Sequence, residues 1–211
     1  MNKTILQILP ALNTGGVERG AIEIATAIEE AKYNSIIVSN GGQLVERLPA
    51  QTKHIQLSVH SKNPFLMLLN IYRLRKIIKQ NKVDLVHARS RVPGWIAYFA
   101  CQHTTAKFIT TFHGVHSCNN KLKYIYNSVM TKGQRVIAVS KFIKDHLIDY
   151  YKTAEEKVMV IHRGVDLEVF ADIELSKAEI QNFHTQYSIP KNRKIILLPG
   201  RITSWKGHEL L

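Results

Sequence analysis

The sequence predicts an α/β protein built on a parallel sheet with helices over both faces. Two observations lead there. Short apolar runs alternate with longer amphipathic runs from the first residues to about residue 165, the order expected when each strand is followed by a crossover helix. The short runs are continuously apolar rather than alternating, as strands buried on both faces must be.

Residues 4–9 read as the first strand and residues 10–16 as a loop. Residues 17–31 read as a helix, with Ala21, Ile24, Ala25 and Ile28 recurring at helical spacing. Residues 35–39 are expected to form the second strand and residues 55–59 a weaker third. Pro64 opens a helix to about residue 80, a place where its missing N–H costs nothing. Strands follow at 84–88, 107–112, 135–139 and 157–161, and helices at 93–103, 122–130 and 141–151. Ser140 stands where it can cap the last of these helices. Together they predict a Rossmann-like doubly wound domain over residues 1–170. Residues 171–192 form a polar connection, helical in part. Residues 193–211 hold one apolar strand, a glycine-flanked loop and a helix start. So few elements bury no core, so they are expected to open a second, truncated domain.

Composition narrows the function. Of 211 residues, 45% are hydrophobic and 21% charged, which is globular and not disordered. The net charge of +13 is regional: residues 47–144 hold 17 basic side chains and one acid, Asp84. Such a field attracts anions, whether phosphorylated lipid, a membrane surface, a nucleotide diphosphate or nucleic acid. The plainer alternative is a basic surface that aids solubility. Charge alone favours nucleic acid, but no recognised binding motif is present, so no nucleic-acid partner is expected. The two cysteines, Cys101 and Cys118, form no framework and suit a reducing compartment. His113, His116 and Cys118 lack a fourth ligand at zinc-like spacing, so no metal site is expected. There is no signal-peptide pattern, and the longest apolar run, residues 65–69, is far too short to span a bilayer. A cytoplasmic protein is expected, with peripheral contact at the inner face of a membrane as an open alternative.

Four loops follow strands, at the edge where ligands bind in such sheets. In the first, Gly15 and Gly16 open a helix, whose free N–H groups and dipole attract phosphate. A purely structural tight turn is the alternative. Glycines at 15, 16 and 20 do not fit a dinucleotide fingerprint, and no Gly-Lys-Ser/Thr follows, which excludes hydride transfer through that motif and a Walker loop. The second loop begins at His113-Gly114. The third carries His87, Arg89 and Arg91; its arginines suit a phosphate or carboxylate, or merely a solvated face. In the fourth, Arg201 and Lys206 stand five apart between glycines, a spacing able to clamp a pyrophosphate.

Taken in order, Gly15-Gly16 with Glu18, the run 111–114, the run 136–140, the run 161–166 and Gly200-Arg201 with Lys206-Gly207 resemble glycosyltransferase family 4. Members are retaining enzymes of the glycosyltransferase B fold, and the likeness extends over the whole chain, especially to bacterial enzymes of lipopolysaccharide and other cell-surface glycans. The resemblance implies that this chain is the N-terminal, acceptor-side half. It implies a nucleotide-sugar donor, a lipid-linked or glycan acceptor, and no metal or other cofactor. Gly15 and Gly16 would approach the donor diphosphate, and His113 would contact the donor sugar near the reacting centre as the catalytic-site residue. Arg201 and Lys206 would neutralise the departing pyrophosphate. Arg89 and Arg91 are assigned here to an anionic acceptor. Members usually carry Asn before the Gly-Val-Asp, where this sequence has Arg163. The paired glutamates of the family's second domain have no counterpart before Leu211. The chain alone is therefore expected to be inactive; a truncated product and the first half of a split gene, with a separately encoded C-terminal half as partner, are the open alternatives. A non-catalytic remnant that keeps acceptor or membrane affinity is the alternative.

Membrane contact is expected from two basic segments. Residues 64–82 place Met67, Ile71, Leu74 and Ile78 on one helical face, with Arg73, Arg75, Lys76 and Lys79 elsewhere. Lys121, Lys123, Tyr124, Tyr126 and Lys132 form the second. Such segments suit anionic headgroups, although a core-facing helix with a solvated basic face explains the first equally well.

Overall fold

The computed structural model describes residues 2–116, 118–165, 174–190, 192–200, 202–203 and 206–210. The chain divides into two compact units, residues 1–164 and 165–211.

The first unit is a seven-stranded sheet in the order β3-β2-β1-β4-β5-β6-β7. Its strands are β1 (Thr4–Ile8), β2 (Asn34–Ser39), β3 (Lys53–Gln56), β4 (Leu85–Ala88), β5 (Lys107–Phe112), β6 (Arg135–Ala138) and β7 (Val158–Val160). All six ladders are parallel. Helices α1 (Gly16–Glu30), α2 (Pro64–Gln80), α3 (Arg91–Cys101), α4 (Lys121–Ser128) and α5 (Lys141–Asp149) make the crossovers. The chain runs outward from β1 to β2 and β3, then returns to lay β4 on the other side of β1. The strand order therefore reverses between β1 and β4, where loops at the carboxyl edge part and leave a crevice. Because parallel strands need helices running back against them, the N-terminal ends of the crossover helices share that edge.

Alternation sorts the central strands onto two faces. Leu6, Ile8, Val86, Ala88 and Phe108 pack with Leu74, Ile78 and Ile96 of α2 and α3. Phe112, Val136 and Ala138 pack with Ile143 and Leu147 of α5. On the opposite face Ile37 packs with Ala21 and Ala25 of α1 and with Leu9 and Leu12. Cys101 is buried, and desolvation pushes its thiol up to about 12.

Several expectations need correction. The third strand lies at Lys53–Gln56 rather than 55–59, because its register is set by pairing with Ile36–Ser39 of β2. Helix α3 begins at Arg91, so Pro93 sits inside its first turn, where a missing N–H removes no intrahelical bond. Leu74 and Ile78 of α2 are buried, with Met67 and Ile71 packed partly against the same core, so this face points inward and not to a membrane. In the second unit, helix α6 (Lys177–Gln186) starts at a capping box made by Ser176 and Glu179. Residues 194–199 do not form the expected strand. A strand needs a hydrogen-bonded neighbour; none is present among the described residues, and Ile196 and Leu197 are exposed.

Candidate active site

The carboxyl edge beside the switch point gathers polar side chains in an otherwise apolar sheet. Gln7 of β1 pairs in register with His87 of β4, and His87 with Ile109 of β5. Gln7 and His87 therefore share the face under α1. Gln7 Nε2 donates to the Ala21 carbonyl at 2.9 Å, tying β1 to α1. Arg89, directly after β4, donates from Nη1 to Gln7 Oε1 at 2.9 Å and is only 7% exposed. Its Nε has no partner. His87 Nε2 and Thr111 Oγ1 are 2.7 Å apart.

The loop after β1 is braced from its neighbour. Leu12 N donates to the Gly41 carbonyl at 2.7 Å, and Leu44 N to the Leu12 carbonyl at 2.8 Å. Helix α1 then starts without a side-chain cap, at Gly15. The Glu18 carboxylate curls back to where a Cβ on Gly15 would stand, an acid in the first turn that suits the dipole. A Cβ on Gly16 would lie 2.6 Å from Nη1 of Arg163, and one on Gly20 would lie 3.0 Å from Nη2 of Arg89. Arg163 Nη2 lies 3.1 Å from Nδ1 of His113. Gly16 and His113, 97 residues apart in the numbering, thus touch opposite ends of one guanidinium.

The electrostatics follow from this crowding. Burial, with Arg163 nearby, brings Arg89 down to about 10, which leaves it charged at neutral pH; Glu23 and Glu18 oppose the shift. Burial, then Arg89 and His113, push His87 down to about 3. Burial, then Arg89, Arg163 and His116, push His113 down to about 3 as well. The guanidiniums of Arg89 and Arg163 stand beside the first turns of α1 with the neutral His113 ring next to Arg163, and Glu18 is the acid at that helix start. The two cations and the uncapped N–H groups can donate several hydrogen bonds to an anion.

The structure brings Gly15, Gly16, Arg89 and His113 together. It separates Arg91, which donates to Asn127 Oδ1 at 2.9 Å and lies 5.3 Å from the Tyr126 ring. Lys206 lies in the second unit, its backbone N–H bonded to the Thr203 carbonyl at 3.0 Å, and Arg201 lies outside the described residues. Arg73, Lys76, Lys121 and Lys123 are exposed on α2 and α4. Gln7, Thr111 and Arg163 belong to the crevice but were not singled out for it by sequence. The signal for the first two was a polar residue in a run of buried strand positions. For Arg163 it was a charged residue at the end of the last strand. Among the described residues no group of His, Cys, Asp and Glu could hold a metal. A cavity of about 950 Å³ lined by Lys3, Ile5, Asp84, Leu85 and Lys107 opens elsewhere. Those residues mark the amino ends of the strands, the edge opposite the crevice, and the Lys3–Asp84 ion pair at 3.7 Å crosses it.

Comparison with known proteins identifies the family and the fold. The family model for glycosyltransferase family 4 matches residues 14–169. A crystal structure of a glycosyltransferase from Rickettsia africae is 47% identical, covers 100% of this chain and 56% of its own, and superposes with a TM-score of 0.84. Anabaena HepE in complex with UDP-glucose shares the fold at 17% identity, with a TM-score of 0.76 over 99% of this chain and 56% of its own. An uncharacterized glycosyltransferase of Methanocaldococcus jannaschii is 29% identical over 148 residues, which are 64% of this chain and 37% of that protein. The chain thus spans little more than half of these relatives, or less. The match over residues 14–169 takes in the bare helix start, the buried arginine and both histidines, and the chain belongs to glycosyltransferase family 4.

Proposed function

We propose that this chain forms the acceptor-side wall of a glycosyltransferase that moves a sugar from a nucleotide-sugar to a lipid-linked or glycan acceptor of the cell envelope. The observation that carries it is the convergence of Gly16, Arg89, His113 and Arg163 at the switch point of the sheet. In sugar transfer the diphosphate leaves as charge grows on its oxygens, and fixed cations and N–H donors stabilise that change. Gly15 and Gly16 would let the diphosphate approach the α1 backbone, and His113, joined to Gly16 through Arg163, would contact the attached sugar. Arg201 and Lys206 are proposed for the pyrophosphate on the family resemblance alone. Anabaena HepE, of the same fold, binds UDP-glucose, which makes a uridine nucleotide the first donor to try.

Contact with the inner face of a membrane is part of the proposal, supported by exposed side chains on α2, α4 and α5. Phe65, Leu68 and Tyr72 of α2, Leu122 of α4 and Phe142 of α5 are 85%, 68%, 67%, 77% and 70% exposed. Phe65, Leu68, Leu122 and Phe142 lie in the first two turns of their helices, hence toward the carboxyl edge, and Tyr72 lies at the middle of α2. Lys62, Arg73, Lys76, Lys121, Lys123 and Lys141 are interleaved with them. Aromatic and leucine side chains among lysines suit an anionic interface, and a lipid-borne acceptor would then meet the crevice directly.

The test is to co-express the chain with the C-terminal part of the Rickettsia africae relative and assay transfer from UDP-sugars to a lipid extract. Transfer by the pair, and none by the chain alone, supports the proposal. A pair that neither transfers nor hydrolyses any nucleotide-sugar overturns it. If such a chain still binds lipid, it is the non-catalytic remnant.

A further inference from the structure

We propose that Arg163 is a positioning residue that selects the tautomer of His113, turning Nε2–H of that ring into a hydrogen-bond donor for an oxygen of the bound nucleotide-sugar. The ligand half of this statement rests on the function proposed above; the tautomer half does not.

The direction of the contact is fixed by chemistry. A guanidinium has only donors, so at 3.1 Å Arg163 Nη2 must donate and Nδ1 of His113 must accept. Nδ1 then carries no proton. Burial and the facing cations Arg89 and Arg163, with His116 nearby, hold the ring neutral at physiological pH. A neutral imidazole without a proton on Nδ1 has it on Nε2. That atom is buried and has no hydrogen-bond partner. A buried donor left unpaired costs about 1–3 kcal/mol, and a ligand oxygen entering the crevice would satisfy it.

The same guanidinium fixes where the oxygen must come from. Nη1 of Arg163 lies against Gly16 at the start of α1, on the other side from His113. A cation beside a helix N-terminus opposes the dipole; the Glu18 carboxylate at Gly15 offsets this in part, and a bound anion would offset it further. A diphosphate there would be held by Arg163 and the α1 N–H groups, while its sugar met the Nε2–H of His113. Arg163 reaches this place because β7 ends at the same carboxyl edge, and residues 161–163 carry the chain past it. The Asn usual before the Gly-Val-Asp run is shorter and can donate or accept, so it would not impose one tautomer.

Long-range proton–nitrogen NMR of the histidine side chains tests both halves on the full 211-residue chain. The His113 signals are assigned by their loss in His113→Gln. Wild type at pH 7 is expected to show His113 as the Nε2–H form, with Nδ1 unprotonated. Arg163→Met removes an exposed side chain and should leave the amide spectrum otherwise dispersed, while the ring becomes a mixture of tautomers. An Nδ1–H or doubly protonated ring in wild type, or an unchanged ring in Arg163→Met, overturns the tautomer assignment whatever ligand is added. UDP-glucose is then titrated in. The Nε2–H resonance is expected to shift on binding, and Arg163→Met to weaken binding by about tenfold, the equivalent of about 1.4 kcal/mol. An Nε2–H form that UDP-glucose leaves unmoved keeps the device but rejects the nucleotide-sugar as its ligand.

Discussion

The Arg89 guanidinium donates to Gln7 Oε1 at 2.9 Å, and neither residue has appreciable contact with solvent. Gln7 completes the chain by donating to Ala21 of α1. A cation buried with one neutral partner and an orphan Nε is a poor device for stability, since desolvation offsets most of what the bond returns. It is a good device for holding charge where an anion will arrive. Removing the partner and removing the charge should therefore differ. Gln7→Leu strands the guanidinium and is expected to destabilise the fold by about 1.5–3 kcal/mol. Arg89→Met removes the buried charge but leaves the neutral Gln7 Oε1 without its donor. It is expected to cost less than Gln7→Leu, about 1 kcal/mol, while abolishing binding of UDP or inorganic pyrophosphate. Urea unfolding and calorimetric titration of the two variants check this. Equal destabilisation by both would make Arg89 a structural residue.

Acid should weaken the fold through the imidazoles. The unfolded rings titrate near 6.5, while His87 and His113 in the fold are lowered to about 3. Between those values the unfolded chain binds more protons, so stability falls as pH drops from about 6.5 and is fully lost for these rings below about 3. For the buried His87 the slope approaches about 1.4 kcal/mol per pH unit. Urea midpoints at pH 7.5 and 5.0 measure it. His87→Gln should flatten the dependence; an equally steep fall in that variant would assign the protons elsewhere.

Gly42 is expected to be the least replaceable glycine of the crevice frame. Its φ is +136°, a region L side chains avoid, and an added Cβ would lie 2.5 Å from both C and O of Leu12. Backbone cannot swing aside as a side chain does. Gly42→Ala should cost on the order of 1–3 kcal/mol and displace the loop that leads into α1. Gly16→Ala meets only the flexible end of Arg163 and should fold normally while pushing that guanidinium off His113. Thermal unfolding separates the two; equal melting temperatures would show that the loop is not braced there.

Much of the sheet was legible in the sequence because its strands are apolar on both faces, and α2 was delimited by Pro64 and its periodicity. Gly15, Gly16, Arg89 and His113 were legible as positions at strand ends, but their expected roles were split: Gly15, Gly16 and His113 for the donor, and Arg89, with Arg91, for an anionic acceptor. Sequence did not reveal direction. Arg89 and Arg91 are two residues apart, yet Arg89 turns under α1 and Arg91 starts α3 and turns to Asn127 of α4. Nor did it reveal that Arg163 reaches Gly16 and His113, because that contact depends on where β7 lies in the sheet. The exposed row on α2 was hidden for another reason. Phe65, Leu68 and Tyr72 share helical spacing with the core row beside them, and a helix that is apolar on two sides reads as one broad face.

That second row makes the membrane prediction specific. If α2 met lipid through the face of Leu74 and Ile78, docking would require the core to open, since both are essentially buried. The exposed residues need no such change. Phe65→Ser, Leu68→Ser and Phe142→Ser together remove three large apolar side chains from solvent-facing positions. They are therefore expected to leave the melting temperature unchanged while releasing the chain from sedimenting vesicles of phosphatidylglycerol and phosphatidylethanolamine. Lys121→Glu with Lys123→Glu should act differently, since two lysines near an anionic surface contribute about 1 kcal/mol each and salt screens them. Their loss should weaken binding at low salt and matter less at high salt, whereas the serine variant should be weak in both. Binding that is equal on vesicles with and without anionic lipid, or that survives the serine substitutions, would mean this edge does not meet a membrane.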